Sequence, residues 1–566
     1  MDKSLVGQAY AAFAREEYSL AMEFYRQAGS AIGHEFFRAN VDICRARHLR
    51  QQASGVSKVG RRDEFADAER RIKYSDAFKV AIIADEFTTD SFRDEFTAIA
   101  IDPVTWQASF EEHQPDVFFC ESAWSGADNK TRPWKGRVYA SSNFQKENRT
   151  VLLEILKYCR KNGIPTIFWN KEDPTHHDDR VHDFVKTAKE FDFVFTTAAE
   201  CIDSYKTVHG VKNAFVLPFA TNPRLFNPVE TGNRSSNVVF AGSWYANHVD
   251  RSRDMERILD QVRTEGFGLE IYDRFYGSTD ALHVWPDKYS PYLKPAQPYE
   301  RMPDVYKSSR FGLNFNTVTE SPTMFARRVF ELMSSNTLVL SNYALGTDRM
   351  FGDLIVYPDR EGNRLRSLSG NDIEDIRSNA LNKVLSEHTY RHRWNSMLKD
   401  AGIPHRERRN TVTVTAVVNQ DQDALAAISW FQQFGTKLPG ARLLLVASEA
   451  MNDLDVANLY RKFNRFGVAV TSTSYAKKYA MLDKYQPVET SHFLTIDPLA
   501  PPSLDWVANA SLHLQYMTSL PIAPCTDKTR QFRFGQTASC STLLDRQASF
   551  CFWLENRGKS RETYFV

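Results

Sequence analysis

The chain's architecture is decided by residues 310–358. They run Arg310-Phe-Gly-Leu-Asn-Phe-Asn316, a polar loop Thr317–Pro322, Met324-Phe-Ala-Arg-Arg-Val-Phe-Glu-Leu-Met333, Thr337-Leu-Val-Leu-Ser341 and Leu354-Ile-Val-Tyr-Pro358. Short apolar runs separated by a helical segment predict strand, loop, helix, strand, loop, strand, the outline of a parallel α/β sheet. Arg328 and Glu331 are three residues apart and share one helix face. Placed after a polar loop, a cation and a carboxylate at the start of a helix suit a nucleoside diphosphate: the cation and helix N-terminus meet the phosphates, and the carboxylate accepts from ribose hydroxyls. The alternative is an ordinary intrahelical ion pair.

The same pattern extends in both directions. On the N-terminal side, Lys79-Val-Ala-Ile-Ile-Ala-Asp-Glu-Phe87, Pro115–Trp124, Ile164–Pro174, Phe191–Thr197 and Ala214–Ala220 are near-continuous apolar runs ending in polar residues, with a helix at about 148–162. Such runs predict a parallel sheet covered on both faces. Asn237–Tyr245, a helix carrying Arg253 and Glu256, and Gly268–Arg274 open a second α/β domain, which closes in a long helical stretch over Asp372–Lys399. After a polar linker, Gly402–Asn410, a third α/β domain starts at Thr411 and continues through Leu443–Ser448, Val468–Ser472 and His492–Asp497. Residues 1–50 are helical: Tyr10, Ala14, Tyr18, Ala21, Tyr25 and Ala28 recur at three- and four-residue steps, like one tetratricopeptide unit with Gly29 near its turn. One unit cannot bury its own face, so a neighbour or a protein partner is expected there. The expected domains are 1–75, 76–230, 231–403 and 411–566.

With 566 residues, 42% of them hydrophobic, the chain is long enough for roughly three or four domains with their own cores. A formal net charge of +1 argues against a polyanion-binding surface, hence no nucleic-acid partner. Arg61–Lys73, dense in both signs, reads as a solvated helix. The seven cysteines are dispersed (Cys44, Cys120, Cys159, Cys201, Cys525, Cys540 and Cys551), as expected of free thiols in a reducing compartment. Neither a signal peptide nor a run of about 18 apolar residues is present. The expectation is a cytoplasmic protein without a membrane span, with room for peripheral association at the inner membrane face.

Ligands of open parallel sheets sit beyond the carboxyl ends of the strands. In the first domain those positions hold Asp85, Glu86 and Phe87; Glu121, Ser122 and Trp124; and Asn170, Glu172 and Asp173. Carboxylates and aromatics suit an acceptor rich in hydroxyls, with Trp124 and Trp169 able to stack on a sugar ring or simply to pack in the core. Glu121 and Asp173 are the candidate general bases, each just past an apolar strand; a cap or a cation pair is the plainer role. In the second domain Gly242-Ser243 offers a close approach for phosphate, Tyr272 an aromatic beside a base, and Arg328 with Glu331 the diphosphate and ribose contacts. The run His176-His177-Asp178-Asp179 is expected to be a solvated loop, since adjacent histidines aim poorly at one ion and no third ligand is in view.

These segments resemble glycosyltransferases of the GT-B fold related to the spore-maturation protein CgeB. The resemblance rests on Pro115–Trp124, Ile164–Pro174, Phe191–Thr197, Val238–Tyr245, Arg328–Met333 and His388–Arg393, six segments in order over residues 79–400. It implies a GT-B pair of Rossmann-like domains with a nucleotide-sugar donor bound mainly by the second, no metal and no cofactor at that site, and a glycan or lipid-linked hydroxyl acceptor, as in surface polysaccharide assembly. Retaining relatives carry two glutamates with seven residues between them; here Thr323 stands eight positions before Glu331, with Glu320 out of register. The third domain resembles the GT-A fold of family-two glycosyltransferases, but Asp497-Pro-Leu-Ala-Pro-Pro supplies one carboxylate where a metal site needs more. That domain is expected to be non-catalytic. Two further readings are an epimerase or phosphosugar transferase on the same fold, and a scaffold of a glycan-assembly complex built around an inactive central pair.

Overall fold

The computed structural model describes residues 3–15, 17–32, 37–56, 72–361, 364–480, 486–525, 527–537, 542–557 and 559–566. The chain divides into two units, Met1–Ile72 and Lys73–Val566.

The first unit contains three helices, α1 (Lys3–Ala14), α2 (Tyr18–Ile32) and α3 (Arg38–Val56). Tyr18, Ala21, Tyr25 and Ala28 of α2 are buried as their spacing predicts, and Tyr25 stacks on Phe37. The inward face of α1 differs from expectation. Ala9 and Ala12 are buried and Tyr10 is 71% exposed, because small residues let α1 lie close against α2. Gly29 falls inside α2 rather than in a turn. Most of Arg61–Lys73 lies outside the described residues.

The second unit holds three sheets. β1 (Lys79–Ile83), β2 (Thr97–Ala100), β3 (Val117–Glu121), β4 (Thr166–Asn170), β5 (Phe193–Thr196) and β6 (Ala214–Val216) form a six-stranded sheet in the order β2-β1-β3-β4-β5-β6, parallel throughout. Every residue of β3 and β4 is buried, which is why both read as unbroken apolar runs. β7 (Ser235–Ala241), β8 (Leu269–Asp273), β9 (Leu293–Pro295), β10 (Ser309–Asn314), β11 (Leu338–Ser341) and β12 (Ile355–Val356) form a second parallel sheet, ordered β12-β11-β10-β7-β8-β9. β13 (Val412–Val418), β14 (Arg442–Ala447), β15 (Val468–Ser472), β16 (His492–Ile496), β17 (Ile522–Ala523), β18 (Phe534–Thr537), β19 (Leu543–Arg546) and β20 (Arg561–Phe565) make an eight-stranded mixed sheet. It runs β15-β14-β13-β16-β19-β17-β20-β18, with β15 through β16 parallel and β19 antiparallel to β16.

The long helical stretch of the second domain is two helices, Gly370–Glu387 and Tyr390–Asp400, broken at His388-Thr389. Thr389 caps the second helix in a capping box with His392. That second helix crosses back to the first domain: Trp394 is buried, donates to the Ser75 carbonyl at 2.9 Å and packs on Phe78 and Phe96, and Tyr390 meets Phe92 with ring centroids 4.7 Å apart. Arg391 reaches Glu95 at 3.2 Å and Arg393 donates to the Pro218 and Phe219 carbonyls. The first two domains share one apolar core running from β1 to this helix. The third packs on the Gly370–Glu387 helix, whose Leu381 and Leu385 join its core with Val414, Leu445 and Leu494.

Candidate functional site

The two parallel sheets face one another with their carboxyl ends toward a cleft of about 620 Å³. Its walls come from both domains: Asp85, Glu86, Phe87, Trp124 and Lys171 on one side, Gly242, Tyr272, Tyr299, Arg327, Arg328 and Glu331 on the other.

On the second-domain wall the helix is shorter than its apolar pattern predicts, running Arg328–Ser334. Met324–Arg327 stay outside it, and two of their backbone N–H groups are held by preceding side chains: Met324 N donates to Ser321 Oγ at 3.0 Å and Ala326 N to Asn316 Oδ1 at 3.1 Å. The helix thus begins at the cleft, with both arginines at its start. The ion pair to Glu331 is made by Arg327, not Arg328: Arg327 Nε lies 2.9 Å from Glu331 Oε1, at an i,i+4 spacing. Glu331 also accepts from Tyr306 (3.1 Å) and Tyr299 (3.3 Å), so its carboxylate is oriented in advance. Burial is the largest single effect on Arg327 and opposes its charge, but Glu331, Tyr299 and Tyr390 together outweigh it and push the guanidinium pKa up. Burial, then Glu331, pushes both tyrosine hydroxyls up as well, so they remain donors.

Arg328 is left with capacity for a ligand. Its hydrogen bond to Asn314 Oδ1 is long, 3.4 Å, and its buried Nε has no hydrogen-bond partner among the described residues. The guanidinium lies over the Phe240 ring at 5.2 Å. Gly242 makes room for it: a Cβ there would stand 2.6 Å from Phe240 Cζ and 3.2 Å from Arg328 Nη2. Ser243 is buried behind this turn, its Oγ accepting from Arg274 N at 3.2 Å and its carbonyl from Arg251 at 3.2 Å, so it braces the loop and does not line the cleft. Tyr272 lines the cleft, with Lys294 over its ring.

On the first-domain wall three neighbouring strand ends meet. Lys171, past β4, lies 3.1 Å from Asp85 and 3.2 Å from Glu121, which follow β1 and end β3. Asp85 accepts from the backbone N–H groups of Trp124, Ser125 and Gly126. Burial alone raises its pKa, but Lys171 and those three donors bring it below the ordinary carboxylate range. Glu121 is fully buried and accepts from Thr88 Oγ1 and Asp85 N, each at 2.5 Å. Burial is the larger effect here, and with Asp85 beside it the pKa is pushed up to about 7 despite Lys171. Lys171 sits between two carboxylates, which outweigh its burial and hold it charged. The ammonium and Arg327 both lie over the Phe87 ring, at 4.5 and 3.8 Å, so this one ring joins the two walls.

The two candidate bases are thus placed behind the surface. Glu121 touches the cleft only through Lys171 and Asp85. Asp173 is further away: it is fully buried and holds Asn170, Thr196, Tyr205 and His177 through its two oxygens. Both side chains are taken up by such networks: Glu121 is held by Asp85, Thr88 and Lys171, and Asp173 by residues of β4, β5 and the segments that follow them. Glu86 is the carboxylate of this domain that is exposed on the cleft. Trp169 is a core residue, donating to the Leu217 carbonyl and packed on Phe92 and Phe219. Trp124 does line the cleft, donating to Glu172 Oε1 at 2.9 Å.

Thr323, in the position of the second glutamate of retaining relatives, has a different job. Its hydroxyl donates to the Thr197 carbonyl at 2.8 Å and accepts from Ala199 N at 2.9 Å, while Ser321 donates to Glu200 at 2.9 Å. The polar loop therefore docks on the first domain. The adjacent histidines aim apart, as their positions in the run imply. His176 and His177 point to separate clusters, and each has further potential ligands: His176 with Asp179 and His182, His177 with Asp173 and Cys201. His182 lies six residues on from His176, outside the run His176–Asp179.

Several solved structures align with part of the chain. An α-glucosyltransferase in complex with UDP aligns at 9% identity over 58% of this chain and all of its own, with a TM-score of 0.41. A glycosyltransferase from Rickettsia africae aligns at 10% identity over 58% of this chain and 98% of its own (TM-score 0.37), and TarM at 11% over 50% and 54% (TM-score 0.32). No curated protein matches the chain. No described helix is long and apolar enough to cross a membrane. Residues 251–399 match the family described as glycosyl transferase-like, so the segment that supplies Arg327, Arg328 and Glu331 to the cleft carries the sequence pattern of glycosyltransferases.

Proposed function

We propose that the cleft transfers a sugar from a nucleoside-diphosphate donor to a hydroxyl of a glycan or lipid-linked acceptor. The observation that carries this reading is Arg328, whose buried Nε lacks a partner, set beside the Gly242 turn and one residue from the Arg327–Glu331 pair. In this reading the nucleoside lies along Tyr272 and the Gly242 turn, Glu331 accepts from the ribose, and Arg328 meets the diphosphate. As the glycosidic bond to the diphosphate breaks, Arg327, Arg328 and Lys171 offset the developing negative charge without a metal ion. The acceptor enters from the Trp124 side. Glu86 is better placed than Glu121 or Asp173 to take the acceptor proton, because it alone of the three is exposed on the wall.

The order of the six quoted segments supports the closer relation to CgeB-type transferases and a setting in surface polysaccharide assembly. The parallel-then-antiparallel sheet of the third domain supports a GT-A-like reading. Its Asp497 accepts from Leu499 N and follows β16 without a second carboxylate nearby in sequence, which supports a non-catalytic role in acceptor binding or assembly.

The test is a thermal-shift screen of the full chain against a panel of nucleotide sugars, followed by product analysis with the donor that binds. Release of nucleoside diphosphate is expected, with a new glycoside when a hydroxyl acceptor is supplied. An isomerised donor would instead assign an epimerase. Absence of binding to any nucleotide, with no effect of Arg328→Ala, would leave a scaffold role.

A further inference from the structure

The loop that follows β4 carries a group of side chains that the transfer reading does not use. Asp179 Oδ1 accepts from the backbone N–H groups of Val181 (2.8 Å) and His182 (3.2 Å), and this folds the chain back so that His182 comes to face His176. The other oxygen, Oδ2, lies 2.8 Å from His176 Nδ1 and 3.0 Å from His182 Nδ1. Two imidazole nitrogens and a carboxylate oxygen therefore converge within 4.8 Å of one another. All three side chains are partly open to solvent, at 26%, 24% and 34%, so the point between them can be reached by an ion and a water.

We infer that His176, Asp179 and His182 bind a divalent transition-metal ion of the zinc class, through Nδ1, Oδ2 and Nδ1. Tetrahedral ligands about 2.0–2.1 Å from such an ion lie about 3.3 Å from one another, so the two carboxylate–imidazole spacings have to open by only a few tenths of an ångström, while the two nitrogens stand within 4.8 Å of each other. Two neutral imidazoles with one carboxylate suit zinc and its borderline neighbours, not calcium or magnesium, which prefer oxygen ligands. Three protein ligands leave a fourth position for water. On binding, each neutral imidazole changes tautomer: the hydrogen it shares with Asp179 on Nδ1 is lost to solvent and one is taken up on Nε2, with no net release of protons, which leaves the Nδ1 lone pair for the ion.

The neighbouring group, Asp173, His177 and Cys201, has the residue types but not the chemistry. Asp173 already holds four partners, and burial pushes the Cys201 thiol pKa far up, away from the thiolate a metal requires. The proposed site differs in having one carboxylate oxygen shared by nothing except the two imidazoles.

The position gives the ion a consequence. Trp124 stands edge-on to both rings, with centroids 5.4 Å from His176 and 5.0 Å from His182, and it lines the cleft. An ion joining residues 176 and 182 would fix the loop against which Trp124 rests, and so would set the acceptor end of the cleft.

The test uses the full, untagged chain stripped with a chelator and does not depend on the sugar-transfer reading. Calorimetry with zinc chloride is expected to give one ion per chain, with at least a 100-fold loss of affinity in the His176→Ala/His182→Ala double variant and little change in His177→Ala. Copper(II) or nickel(II), added to the wild-type chain, is expected to quench the Trp124 fraction of the fluorescence, and the quench should vanish in Trp124→Phe. This second measurement places the ion even where the histidine variants fold poorly. No stoichiometric zinc binding by the wild-type chain, or binding and quenching that survive these substitutions, would overturn the site and leave a hydrogen-bonded His–Asp–His clasp.

Discussion

Arg328 and Gly242 act as one unit. The glycine lacks the side chain that would collide with Phe240 and crowd the guanidinium, and the guanidinium keeps a buried Nε for a ligand. Arg328→Ala is expected to weaken nucleotide-sugar binding at least tenfold with little effect on folding, checked by calorimetry against thermal unfolding. Lys171→Met should act on stability first. It leaves Asp85 and Glu121 beside one another without their shared cation, and loss of one partner from a buried ionic group costs about 3–5 kcal/mol; denaturant unfolding measures it. Glu121 also makes a prediction about pH. Its carboxyl has an ordinary value of 4.5 and is raised to about 7 in the folded chain. Between those values the folded state binds the extra proton, so stability from this group is greatest below about pH 4.5 and falls as pH rises to about 7, by roughly 3 kcal/mol at most. Glu121→Gln should flatten that part of the stability–pH curve, and an unaltered slope would assign the dependence elsewhere.

At the scale of elements, the Tyr390–Asp400 helix and the 317–323 loop decide how the cleft is held. Both belong by sequence to the second domain, and both bond to the first. Trp394, buried among Phe78 and Phe96, is the principal apolar anchor of the helix. Trp394→Ala is expected to cost about 3–5 kcal/mol in chemical denaturation. The loop is held by smaller forces, and Thr323→Val removes its hydrogen bonds to Thr197 and Ala199 with little change in volume. The expected result is a several-fold rise in KM for the donor with a change in melting temperature of only a few degrees. The strands were legible as apolar runs because both sheets are covered on two faces. The start of the Arg328–Ser334 helix was not, since the preceding stretch is tied to Ser321 and Asn316 through the Met324 and Ala326 N–H groups, contacts that the apolar pattern does not show. Nor was Lys171 singled out, although it stands within a quoted run. Its importance depends on β1, β3 and β4 lying side by side, which brings residues 85, 121 and 171 together.

Across the whole molecule, residues 73–566 form one unit in which the third domain's core takes in Leu381 and Leu385 from the second. A chain ending near residue 410 would expose that apolar face, and low soluble yield with a lowered melting temperature is expected. By itself the sequence determined the three sheets, their order along the chain and the residue types at the strand ends, because strand burial and βα alternation are written as local periodicity. Only the tertiary structure decided which cation pairs Glu331, that Glu121 and Asp173 sit behind the wall and Glu86 on it, and that His182 completes a group with His176. Those facts depend on which strand ends become neighbours and on which way a loop folds back. Electrostatics and hydrogen bonding act over a few ångströms in space, whatever the separation along the chain.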